Sequence, residues 1–306
     1  MSAITTQVAK LIAAPVAILA LALPFPASPA LAATVGIDRS KDQKVASFGT
    51  AHIVHIAKAA EACPDDMVEV EGDYCPIVEQ ICSQFIKGHE KRDRCAEYRP
   101  GVRCYGKPER RHFGVDRYEF PNQRGIKPVV GVTWEESRDF CAATGKRLCK
   151  ETEWTLACEG QDRLPYPYGF KRDAQACNID RQYIAPNNDA YGDLKLRAAE
   201  IARTDQRDKS GEREGCRSQY GVHDMTGNVD EWVVNEKGTV KEAPYVSGLK
   251  GGYWGPVRNR CRPMTTDHNA WHSGYQIGFR CCGDPGLGPA QRPLMHAKGA
   301  PIKTSR

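Results

Sequence analysis

The sequence predicts an α+β domain with little regular secondary structure, held together by disulfides. Three observations predict it. All thirteen cysteines lie beyond residue 62, behind an apolar N-terminal run that reads as an export signal, and exported cysteines tend to pair. Within residues 63–285 helix signals occur at two places only, and the strand candidates are short. Beyond Gly160, prolines, glycines and asparagines crowd together in a loop too long to stand without a cross-link or an ion. The 306 residues suffice for one large domain or two small ones, and 41% hydrophobic residues suffice for a core. The net charge of +5 is spread thinly, with no dense Lys/Arg block, so no nucleic-acid partner is expected.

The organisation follows the chain. Residues 1–32 read as a signal peptide: Lys10, an apolar run from Leu11 to Leu23 too short for a comfortable span, and the small-residue pattern Ala30-Leu31-Ala32. No stable membrane span is expected after cleavage, and the location expected is periplasmic or secreted. Residues 33–62 form an N-terminal extension, with a short helix expected over Ile53 to Ala60. Residues 63–285 form the main domain, beginning with a Cys-rich segment over 63–110, and 286–306 read as a flexible basic tail.

Within the Cys-rich segment, Cys63, Cys75, Cys82, Cys95 and Cys104 show no paired C-x-x-C knuckles, which favours disulfides over zinc. An odd cysteine total leaves at least one thiol over. Met67 to Val70 alternate as a half-buried strand, with a turn expected at Gly72. Asp116 to Phe120 form a second strand candidate, closed by Pro121. Thr133 and Glu136 make a capping box, so a helix begins there, with Phe140 and Cys141 on its inner face and Gly145 at its end. A second helix covers Glu151 to Glu159, placing Trp154 and Cys158 on one face. Lys150 cannot accept backbone N–H bonds, so this helix needs another cap. Cys177 and Cys216 are available to hold the long loop.

Three spaced segments then carry a family resemblance. They are Pro128-Val129-Val130-Gly131-Val132-Thr133-Trp134 with Gly145-Lys146-Arg147-Leu148 and Glu151-Thr152-Glu153-Trp154; Tyr220 to Trp232; and Lys250-Gly251-Gly252-Tyr253-Trp254 with Gly278-Phe279-Arg280-Cys281. Together they resemble the formylglycine-generating enzyme, or sulfatase-modifying factor, family over roughly residues 66 to 283. The resemblance implies a fold related to C-type lectins. It implies disulfides Cys141–Cys281 and Cys158–Cys261. It implies a structural calcium ion on the side chains of Asp224 and Glu231 and the carbonyls of Gly227 and Val229, a donor set of the hard oxygens that calcium takes. A second calcium site would use Asn178 and Ile179, with Asp189 and Tyr191 as the nearest downstream candidates. The alternative for Asp224 and Glu231 is turn capping or pairing with arginine.

The family's oxidation of a substrate cysteine uses copper held by two thiolates, between the Gly-Gly motif and the last structural cysteine. Copper(I) selects such soft ligands. Here that interval is Tyr253 to Arg260 and contains no cysteine, so the copper route is not expected. Related sulfoxide-forming enzymes use iron on histidines; here His268 and His272 stand four apart beside Asp267, but Asn269 and Ser273-Gly274 suggest a loop. Trp254, Arg258, Arg260, Arg262, His268 and Trp271 would line the equivalent of the family's substrate groove, where arginines suit an anionic or peptide ligand; simple packing of the fold is the equal alternative. Three functional readings stay open. One is a ligand- or peptide-binding envelope protein. Another is a periplasmic oxidoreductase of different chemistry, of the kind that matures siderophores or other metabolites. The third is a formylglycine-generating oxidase acting on sulfatases.

Overall fold

Strand β1 (Met67–Tyr74) opens the computed structural model, whose described residues are 63–88, 94–238 and 246–286. The signal peptide, the extension with its helix at Ile53 to Ala60, and the tail from residue 287 onward lie outside the described residues. Residues of β1 alternate buried and exposed, as a sheet with one wet face requires. The turn expected at Gly72 is corrected: the strand runs through it. A Cβ there would lie 1.7 Å from the Gln161 amide nitrogen and 2.4 Å from the Tyr220 hydroxyl, so glycine serves a close crossing rather than a bend.

The Cys-rich segment forms β2 (Ile77–Glu79), β3 (Cys82–Phe85), β4 (Cys95–Tyr98) and β5 (Arg103–Tyr105), as two small antiparallel pairs, β2 with β5 and β3 with β4. Disulfides Cys75–Cys104 and Cys82–Cys95 staple them. Strand β6 (Glu109–Asp116) then pairs along the whole of β1. The strand expected over Asp116 to Phe120 is corrected, since β6 ends at Asp116 and residues 117–120 bend away.

Helix α1 (Trp134–Ala143) starts at the Thr133–Glu136 capping box and buries Trp134, Ser137 and Cys141. Phe140 is 38% exposed, not inner, although its ring stacks on Phe279. Strand β7 (Arg147–Leu148) leads to α2 (Glu151–Glu159), all nine residues of which are buried. The missing cap of α2 comes from elsewhere: the Glu153 carboxylate accepts from the Lys150 N–H, and Glu236 accepts from the Thr152 N–H, each at 2.9 Å. The long loop is tied by Cys177–Cys216 and contains two short helices, α3 (Asn188–Gly192) and α4 (Arg197–Thr204).

The remaining strands are β8 (Asp230–Val234), β9 (Ser247–Lys250), β10 (Met264–Thr265), β11 (Ile277–Phe279) and β12 (Cys281–Gly283). Two four-stranded sheets result, ordered β1-β6-β12-β7 and β10-β9-β8-β11. Helix α2 packs against strands of both, putting Trp154, Leu156, Ala157 and Cys158 into the main core. Cys141–Cys281, Cys149–Cys282 and Cys158–Cys261 close loops of 140, 133 and 103 residues around it. Such cross-links stand in for long hydrogen-bond ladders. Cys63 alone is unpaired, and burial, then Glu69 and Asp284, push its thiol up to about 11. No helix among the described residues is long and apolar enough to cross a membrane.

Candidate functional site

The chain leaves β9 through Gly251 and Gly252, both at positive φ (85° and 72°). A Cβ on Gly251 would lie 2.8 Å from the Met225 carbonyl, so this turn requires glycine. The chain then loops through Tyr253 to Arg260 and is caught at Cys261 by Cys158. Buried Asn259 pins the loop: its amide donates to the Tyr253 carbonyl at 2.5 Å, and its oxygen accepts from Arg172 at 2.6 Å. Arg172 also donates to the Val257 carbonyl and, with Arg94, grips Asp180.

Between this loop and the start of β8 lies a cavity of about 520 Å³, walled by Arg94, Asp230, Leu249, Gly251, Gly252, Pro256, Val257, Arg258, Pro263 and Thr265. Burial pushes the Asp230 carboxyl up to about 7, with Glu231 adding to the rise; the Gly252 N–H and Arg258 oppose it. A carboxyl poised near neutrality in a cleft, flanked by arginines, can exchange a proton with a ligand or accept from an ammonium or hydroxyl group. A larger cavity of about 720 Å³ lies by Tyr118, Phe120 and Phe140, and shares no wall with the first. Its Lys146 is already paired with Asp116 and Asp66.

Of the groove residues expected from sequence, only Arg258 lines the 520 Å³ cavity. Trp254 is buried and packs with Val229 and Tyr275. Arg262 binds the buried Glu159 carboxylate and lies 5.5 Å over the Tyr74 ring. Arg260 lies over Tyr98 and donates to its hydroxyl. These three serve packing, which corrects their assignment to the groove. Trp271 is 63% exposed, in a turn where its N–H donates to Asn269. The His268 and His272 rings stack with centroids 3.9 Å apart, flat on one another rather than turned toward one point. Burial, then His268, push His272 down to about 4. Sequence reasoning missed Asp230, though it sits inside the Tyr220–Trp232 motif. It missed Arg94 too, which carries no local signal beyond preceding Cys95.

Both side chains expected to hold calcium have protein partners. Both Glu231 oxygens accept from Arg280, each at 2.7 Å, and one also accepts from the Trp154 indole at 2.8 Å. Asp224 accepts from the Gly211 N–H at 2.7 Å. Gly227 packs against Asn178 and Ile179, and Val229 is buried with Trp254. The cation beside Glu231 is therefore a guanidinium, so Glu231 as placed does not serve as a calcium ligand. For the second site, Asn178 bonds Gln206, Arg181 and Asn228. Asp189 stands on exposed α3, while Tyr191 reaches Ser273 instead. The disulfides Cys141–Cys281 and Cys158–Cys261 are both present.

Comparison with known proteins agrees with this architecture. The family described as "Sulfatase-modifying factor enzyme 1-like domain" matches residues 77–285, more than half of the chain. The chain is 29% identical over 171 residues to the inactive C-alpha-formylglycine-generating enzyme 2 of Bos taurus, covering 54% of this chain and 52% of that protein. It is 28% identical over 185 residues to the formylglycine-generating enzyme of Thermomonospora curvata, covering 52% and 56%. It thus spans about half the length of these relatives. Among solved structures, it is similar to CarF (TM-score 0.48, 15% identity, 72% of this chain and 98% of that one). It is also similar to PvdO from Pseudomonas aeruginosa (TM-score 0.43, 17% identity, 71% and 94%). Given the family match over residues 77–285, the chain belongs to the formylglycine-generating enzyme, or sulfatase-modifying factor, family.

Proposed function

We propose that this chain is an exported member of the family that binds a peptide or small-molecule ligand in the cavity between Asp230 and Arg258, and that it does not carry out thiolate–copper oxidation. One observation carries the reading: none of the residues walling that cavity bears sulfur. Twelve of the thirteen cysteines are committed to disulfides, and Cys63 lies on no wall of the cavity. Its relatives include one named a formylglycine-generating enzyme and one named as inactive, at similar identities, so the residues decide. The export signal read from residues 1–32 and the six disulfides support an extracytoplasmic setting. Arg258 suits a carboxylate, and Asp230 suits an ammonium or hydroxyl donor. The ligand class that satisfies both is a peptide or amino-acid-like zwitterion.

The test is a thermal-shift titration with short peptides, alongside their amidated and N-acetylated forms. Free peptides should stabilise the protein. Arg258→Ala should weaken the free-carboxylate forms about tenfold, a charge-assisted hydrogen bond's worth, and Asp230→Asn should selectively weaken the free-amine forms. Peptide binding indifferent to both substitutions, or absent, contradicts the reading.

A further inference from the structure

The thirteenth cysteine is not stranded. Strands β1 and β6 pair with Glu69 opposite Gly114 and Glu71 opposite His112, so Glu69, Gly114 and His112 share one face of the sheet. Gly114 leaves a gap there, and Cys63 fills it. A Cβ built on Gly114 would lie 3.1 Å from the Cys63 Cβ and 3.3 Å from its Sγ. The thiol is thereby seated beside the pair formed by His112 Nε2 and Glu69 Oε1, which are 2.7 Å apart. The three donor atoms all lie within 4.8 Å of one another, and among the described residues no other group of three or more His, Cys, Asp or Glu is so assembled.

We propose that Cys63, Glu69 and His112 bind one borderline divalent transition-metal ion of the zinc type. The donor set argues for the class. One sulfur, one imidazole nitrogen and one carboxylate oxygen match zinc's ligand preferences, whereas calcium and magnesium take oxygen alone and copper(I) selects sulfur. The spread of the donor atoms suits a tetrahedral ion after the His112–Glu69 hydrogen bond opens by about 0.6 Å. Glu69 is exposed and the other two are half-buried, so the fourth position faces solvent, as in a site that keeps a water or takes an external ligand. The ion joins the chain just before β1 to the sheet it enters. It also gives the unpaired cysteine of an exported protein a partner other than a second thiol.

Cobalt(II) reports such a site by colour. Titrating chelator-stripped full-length protein with cobalt(II) should give a thiolate-to-metal charge-transfer band in the near ultraviolet and visible bands of tetrahedral intensity, saturating at a single equivalent and bleached by zinc(II). Cys63→Ser should abolish the charge-transfer band, and His112→Ala should weaken binding at least about tenfold. Gly114→Ala, which displaces the thiol, should do the same with all three donors still present. Near-ultraviolet circular dichroism checks that each variant is folded. No charge-transfer band, a band that survives Cys63→Ser, or a Cys63-linked disulfide dimer as the resting state would overturn the proposal.

Discussion

Arg280 holds Glu231 through two hydrogen bonds of 2.7 Å with both side chains fully buried. The same guanidinium donates to the carbonyls of His223 and Asp116, so it ties β8, the β11–β12 junction and the end of β6 together. Breaking one side of such a pair leaves an uncompensated buried charge. Glu231→Gln should therefore lower unfolding free energy by about 3–5 kcal/mol in guanidinium denaturation. A loss under about 1 kcal/mol would show that the pair is not the keystone described here.

With a guanidinium in the cation's place, stability should not depend on calcium. Adding calcium to chelator-stripped protein should leave the melting temperature unchanged. An ion that binds only the folded state would raise it with concentration, and such a rise would mean that Arg280 yields Glu231 to calcium.

Lys250 is fully buried over the Trp154 ring, with its ammonium donating to the Arg262 carbonyl. Burial pushes it down to about 7, against partial support from Glu151 and Glu159. In the unfolded chain it titrates near 10.4. Between those values the unfolded state binds the extra proton, so this group's stability rises with pH and is lost as pH falls through about 7. Lys250→Met should thus gain most over the parent below pH 7, by several kcal/mol (roughly 3.4 pH units at about 1.4 kcal/mol each), and the gain should vanish near pH 10. Melting temperatures of the two proteins across pH 5.5 to pH 10 check it; parallel curves would contradict it.

The disulfides Cys141–Cys281 and Cys149–Cys282 form adjacent rungs, since Cys281 and Cys282 are neighbours. Each shortens the loop that the other must close to on the order of 10 residues. By the chain-entropy model, losing either rung costs roughly 3 kcal/mol and losing both roughly 6–7 kcal/mol. Denaturation of C149A/C282A, C141A/C281A and the quadruple variant measures this; a quadruple loss smaller than either double loss would refute the ladder.

Much of the fold was legible in the sequence, for identifiable reasons. Helix α1 announced itself through Thr133 and Glu136, and both of their cap hydrogen bonds are made. Helix α2 was legible because Gly160 stops it. Helix α4 was not: Leu196 offers no side-chain cap, and the residues it buries are the polar Glu200 and Thr204, with Ile201 packed beside them. The pairing in the Cys-rich segment could not be read, because several connectivities are compatible with such spacing. Among the site residues, Arg258, Arg260 and Arg262 look alike in sequence. Only the positions of Tyr98 and Glu159, distant along the chain, separate the cavity arginine from the two that pack. Asp230 was hidden for the opposite reason, within a motif read for its neighbours.

The central claim is that the Asp230–Arg258 cavity works without a sulfur-held copper ion. Its most direct test is competition of the purified protein against a chromophoric copper(I) chelator, combined with incubation of the copper-loaded sample with a sulfatase peptide in air. The account predicts that the chelator keeps its copper and that the peptide cysteine survives intact. Stoichiometric, tight copper(I) uptake together with aldehyde formation on the peptide would contradict it.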